Sequence, residues 1–208
     1  MSKANNPIYS NEVIEFVTAC RDYCIFIEHA DEPDIKKFID ISHKLLPLLY
    51  LKATSLPDLD SEFEDFNERF VTEKDYEDIR KKILTKLGQY DAYEEVFDPG
   101  RKDVDEPIGA SISENLADIY QDLKDFILLY EIGTKEVMYE AIWACRQSFE
   151  IYWGQRLTNA LRALHFLRYS EEIDEENVHR LEDELKIDDI DTSDWIISRR
   201  QEDFRNEE

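Results

Sequence analysis

Hydrophobic positions in this chain recur every three or four residues over five long stretches, the spacing that gathers side chains onto one face of an α-helix. After Ser10, a residue suited to an N-cap, the first stretch carries Val13, Phe16, Val17, Cys20, Tyr23, Cys24 and Ile27 and runs to about Ala30. Pro33 opens a second, with Ile35, Phe38, Ile39, Ser42, Leu45, Leu46, Leu49, Ala53 and Leu56 on one face until Pro57 stops it. The short turn from His29 to Asp34 sets these two helices antiparallel. Thr72 caps a third helix through Leu87, closed by Gly88. Tyr90 to Asp98 reads as a short helical turn, and Pro99 to Gly109 as a loop. Ser111 or Ser113 caps a fourth helix to about Ile132 that turns Leu116, Ile119, Tyr120, Leu123, Phe126, Ile127 and Tyr130 inward.

Gly133-Thr134 leads into the fifth stretch, which has no proline before Tyr169 and predicts one helix about 50 Å long at the α-helical rise. Its first half is apolar around the whole circumference: Val137, Met138, Ala141, Ile142, Trp143, Ala144, Cys145, Phe149, Ile151, Tyr152 and Trp153 leave no polar side. A helix of that kind belongs inside a bundle. The expected architecture is therefore all-α, a five-helix, up-and-down-like bundle around this long central helix. Only five glycines in 208 residues agree with helix over sheet.

Beyond Ser170 the pattern stops. Glu171 to Glu208 holds sixteen acids and five bases, with a short helix predicted at Glu175 to Leu185 and two isolated aromatics, Trp195 and Phe204. The expected division is thus a bundle domain over 1–170 and a loosely held acidic tail over 171–208. A second acidic stretch, Asp58 to Asp78, contains ten acids and two bases interleaved with Phe63, Phe66 and Phe70. The whole chain carries a net charge of −24, a field that repels phosphate backbones and anionic membranes. Direct nucleic-acid or membrane binding is not expected; a basic protein partner is. The N-terminal residues lack the apolar core of a signal peptide, and no stretch approaches a membrane span. Three cysteines, Cys20, Cys24 and Cys145, form no disulfide framework, so the expected location is the cytoplasm.

Candidate chemistry is sparse. The longest acid-free run, Ile151 to Ser170, carries Arg156, Arg162, His165 and Arg168, which with Arg146 form a candidate site for an anion or an acidic partner. Arg146 lies within the apolar half of the fifth helix, where Glu150 one turn later can neutralise it. Pro47 sits inside the second helix and cannot donate to the carbonyl of His43, so His43, Pro47 and Tyr50 mark a candidate pocket at a helix kink. Asp118, Asp122 and Asp125 have a helical spacing that could serve a metal, but the wheel places them opposite Leu116, Ile119, Leu123 and Ile127, facing solvent. Asp58 to Glu64 and Asp188 to Asp194 lack the glycine and final glutamate of a calcium loop. The cysteines read as small hydrophobes.

Four segments, Leu45 to Lys52, Tyr90 to Pro99, Leu116 to Asp125 and Tyr152 to His165, resemble in order and content a bacterial family of unknown function, number 5063 among such domains and common in Bacteroidetes. The resemblance extends from about Pro7 to Tyr169. It implies a helical cytoplasmic bacterial protein and supplies no catalytic residues. Taken together, these features favour a non-catalytic interaction or adaptor module using acidic surfaces to meet a basic partner, with no cofactor. One alternative is a metal-dependent hydrolase of a nucleotide or phosphate ester, with Mg²⁺ on helix-borne carboxylates. Another is an acidic mimic of nucleic acid.

Overall fold

The computed structural model describes residues 6–61, 69–95, 108–170 and 173, all within the unit Met1–Ile173. The predicted tail and its short helix lie outside the described residues, as do Phe63 and Phe66. The bundle is all-α apart from one pair of four-residue strands. A 3₁₀ turn at Pro7–Tyr9 leads into α1 (Asn11–Glu28), and α2 (Ile35–Thr54) follows. The two lie antiparallel, as the ion pair Glu15–Lys52 and the stacked rings of Phe26 and Phe38 require. The side chain of Ser10 caps α1 by accepting from the N–H of Val13, and that of Asp34 caps α2 through the N–H of Lys37.

Helix α3 (Glu73–Leu87) begins with a full capping box between Thr72 and Asp75 and ends at Gly88, whose φ of 53° favours glycine. The segment beyond it corrects the sequence reading. After a 3₁₀ turn at Gly88–Tyr90, Ala92–Glu95 forms strand β1, which pairs antiparallel with β2 (Ile108–Ser111) in the register Ala92 to Ser111. The expected helical turn over Tyr90 to Asp98 is thus extended through Glu95. Strands of four residues with one good strand former each, Tyr93 and Ile108, carry too short a pattern to show strand-like alternation.

Helix α4 (Ile112–Ile132) is capped by Ser111 and closed by Gly133 in the left-handed conformation. It packs against α1, α3, α5 and α6, and so has more helical neighbours than any other element. The long fifth helix is present but not uniform: α5 (Lys135–Ser148), a π-helical turn at Phe149–Trp153, and α6 (Gly154–Tyr169) follow one another without a break. This rod packs along α4, with α2 on the other side of α6. The π turn accounts for the apparent all-round hydrophobicity. Widening the helix lets Phe149 and Trp153 both point into the core, their rings 4.6 Å apart, while Glu150, Ile151 and Tyr152 are exposed. Trp153 stacks on Phe16 of α1 and donates its indole N–H to the carbonyl of Cys145 at 3.1 Å. Phe16 in turn touches Phe126, so one aromatic seam joins α1, α4 and the π turn.

Candidate functional site

The carboxylates of α4 do not face solvent, which corrects the sequence reading of Asp118, Asp122 and Asp125. Asp118 accepts from the hydroxyl of Tyr76 at 3.0 Å and also from Tyr152, and it pairs with Arg156 at 3.4 Å. Asp122 accepts from Ser148 Oγ at 2.6 Å. Asp125, only 8% exposed, accepts from the backbone N–H groups of Phe70 and Val71 at 2.8 and 2.9 Å. A helix flanked by four others has no free side, so even the face opposite its apolar stripe is covered. Each carboxylate serves a different neighbour: α3 and the π turn for Asp118, α5 for Asp122, the connector for Asp125. Among the described residues no group of three or more His, Cys, Asp or Glu side chains is placed to hold a metal.

Burial raises the pKa of all three above the ordinary 3.8, opposed by the hydrogen bonds and ion pairs just named. Asp91 and Glu114 are raised for the same reason. A folded-state pKa above the unfolded one means that the native protein binds protons more readily, so these groups add stability as pH falls through their folded values. Asp40 and Asp75 are shifted the other way, lowered chiefly by hydrogen bonds from Lys44 and Thr72, and their contribution is lost only on further acidification. The unfolding midpoint is therefore expected to rise as the pH is lowered from neutral toward the ordinary carboxylate value of 3.8, and to fall on further acidification below it. Calorimetric scans across this range test it; a steady decline from neutral pH would refute it.

The remaining candidates divide in two. Arg146 bonds Glu150 at 3.2 Å, as its spacing predicts, and also reaches Asp58 and the carbonyl of Leu56. Arg156 serves Asp118 and lies over the ring of Tyr152. Neither is near the other basic candidates' seam, which lies between α2 and α6. There His43 Nε2 and His165 Nδ1 are 3.1 Å apart, with the ring of Tyr169 against both. Arg168 pairs with Asp40 at 3.1 Å, and Lys44 reaches the same carboxylate at 2.6 Å. Arg162 is exposed. Helix α2 runs unbroken through Pro47, which is exposed, while Tyr50 meets Phe149 edge-on at 5.2 Å. The structure thus joins His43 from one predicted set to His165 and Arg168 from the other.

Sequence reasoning missed a cleft of about 330 Å³ between α1, α3 and α4. Ile79, Val71, Phe70 and Leu128 supply its apolar lining, beside the carboxylates of Glu28, Asp75 and Asp78 and the ammonium of Lys124. Glu28 accepts from Lys124 at 2.7 Å and from the hydroxyl of Tyr120 at 3.0 Å, both on one oxygen. The Lys124 pKa is raised chiefly by that bond. Asp78 is exposed at the rim. The arrangement suits a cation carried on an apolar stem. Its residues come from three helices far apart in sequence, and no local spacing announces them. Two buried groups were also missed: Glu140, fully buried and bonded by Ser61 Oγ at 2.9 Å, and Arg80, held by Glu77 through two nitrogens.

A family model described as a domain of unknown function (DUF5063) matches residues 7–170. Among solved structures, the crystal structure of a Bacteroides fragilis protein, determined as a structural genomics target, is 39% identical, with a TM-score of 0.71. The match covers 81% of this chain and 99% of that one. No curated protein matches the chain. No helix among the described residues is long and apolar enough to cross a membrane.

Proposed function

The chain belongs to the DUF5063 family, and we propose that it is a non-catalytic interaction module that meets a basic protein partner through its acidic surfaces. The observation that carries this reading is the cleft between α1, α3 and α4. A lysine or arginine side chain lays its methylenes on Ile79, Val71 and Leu128 there and brings its charge to Asp75, Asp78 and the free oxygen of Glu28. The net charge of −24 adds long-range attraction for such a partner. The hydrolase reading loses its best residues, because Asp118, Asp122 and Asp125 are each engaged by a separate structural partner rather than turned to a common point.

Titrating the intact protein with a short arginine-rich peptide, followed by NMR, tests the proposal. The expected shifts centre on Val71, Ile79 and Leu128, and Asp78→Lys at the exposed rim is expected to weaken binding about tenfold, a typical cost of placing like charges together at an interface. Shifts scattered over the surface, or an affinity that Asp78→Lys leaves unchanged, would count against it.

A further inference from the structure

In a chain with 49 acids and 25 bases, helices α2 and α6 invert the balance. Lys36, Lys37, Lys44 and Lys52 on α2 and Arg156, Arg162 and Arg168 on α6 share these two helices with one carboxylate, Asp40, while Lys52 and Arg156 are paired with Glu15 and Asp118 of neighbouring helices. The two helices lie side by side and antiparallel, as His43–His165, Asp40–Arg168 and Tyr50–Phe149 show. Arg156 is turned toward α4, but the other two arginines stay on the exposed side of α6. Exposed apolar side chains lie on the same elements: Leu48, Tyr50 and Leu51 on α2, Ile151 and Tyr152 in the π turn, Phe166 and Tyr169 on α6, with Leu51 59% and Ile151 75% exposed.

We propose that the α2–α6 face is a second docking surface, opposite in polarity to the acidic cleft, that takes an acidic peptide segment of a partner protein with aliphatic or aromatic anchors. Three observations select this occupant. Asp40 already lies between Lys44 and Arg168, so carboxylate oxygens fit between the cations of this seam, and the contact lowers its pKa. Arg162, exposed on the outer side of α6, has no ion-pair partner among the described residues and is available to a carboxylate from outside. Lys44 and Arg162 lie on different helices, and the apolar side chains extend from Ile151 to Tyr169, about 27 Å along the rod at the helical rise, a length that suits an extended or helical peptide better than one small anion. A nucleic acid fits less well, because a polyanion running beyond this face meets the rest of a strongly acidic chain, whereas a short peptide ends within it. The inference does not depend on the cleft between α1, α3 and α4.

The test is selection of random peptides displayed on phage against the intact protein, followed by fluorescence anisotropy with the recovered peptides. The expected winners carry aspartate or glutamate with one or more leucine, phenylalanine or tryptophan. Their binding is expected to weaken about tenfold with Arg162→Glu and, separately, with Leu51→Ser, and to weaken with salt. Both positions are exposed, so circular dichroism is expected to show an unchanged fold. Recovery of basic peptides, recovery of none, affinities indifferent to both substitutions, or tighter binding of a single-stranded oligonucleotide than of any peptide would each overturn the proposal. Because the two docking surfaces use different residues, Asp78→Lys serves as the control: it should leave acidic-peptide binding in place.

Discussion

Alanine at position 154 is expected to cost about 2–3 kcal/mol of stability, toward the upper end for forcing one methyl group into a packed interior. The backbone at Gly154 is ordinary helix, so the requirement for glycine is one of space. A Cβ there would lie 2.4 Å from the carbonyl oxygen of Phe149 and 2.9 Å from its ring. Backbone oxygen cannot yield like the end of a flexible side chain. The Gly154 N–H also donates to that same carbonyl, five residues back, which closes the π turn. The added methyl therefore pushes on the bond that defines the turn, and its relief requires Phe149 to leave its place against Trp153 and Tyr50. For a domain of this size the loss corresponds to a midpoint lowered by roughly 5–10 °C. Thermal unfolding of Gly154→Ala measures it, and a change within about 0.5 kcal/mol, the range of an ordinary surface substitution, would show that the close approach is not tight.

Asp91→Ala is expected to cost about 2–4 kcal/mol, and Asp91→Asn markedly less. The Asp91 carboxylate accepts from Ser111 Oγ at 2.6 Å, from Ser113 Oγ at 2.9 Å and from the Ser113 backbone N–H at 2.7 Å. Its own carbonyl receives the N–H of Ile112 at 2.9 Å. One residue thereby satisfies the first turn of α4, the helix on which four others pack, and carries negative charge at the positive end of that helix. Alanine leaves the buried N–H of Ser113 without its acceptor and the two hydroxyls, 2.8 Å apart, with only each other. Asparagine keeps an acceptor oxygen and sheds a charge that burial opposes, as the raised Asp91 pKa indicates. Denaturant unfolding of both variants separates the readings. Equal losses would mean that charge at the helix end, rather than the hydrogen bonds, holds α4 in place.

Helix ends were legible wherever one residue could define them. Ser10, Thr72, Gly88 and Gly133 act within a few residues of themselves, and the structure uses each as read, with Ser111 selected over Ser113 at the start of α4. The π turn was not legible, because four apolar or aromatic residues out of five, Phe149, Ile151, Tyr152 and Trp153, read as part of an all-round hydrophobic helix whether its hydrogen bonds span four residues or five. The orientation of Asp118, Asp122 and Asp125 was misread for a related reason. A helical wheel separates one apolar face from the rest, and α4 buries Asn115, Ser113 and Asp125 as well, under neighbours the wheel does not contain. His43 and His165 are 122 positions apart, and each was singled out for its own surroundings. Only the antiparallel packing of α2 on α6 joins them.

Two of the buried carboxylates have a joint consequence for how this fold tolerates change. Glu140 holds Ser61 from α5, and Asp125 holds Phe70 and Val71 from α4, so the chain is riveted to the bundle on both sides of residues 62–68. Between two fixed points, the entropic cost of closing a loop grows by only about 0.6 kcal/mol per doubling of its length. Both anchors belong to the bundle itself, so a change in the length of the sequence between them, an inserted tag or probe included, is expected to leave the hydrogen bonds of Glu140 and Asp125 in place.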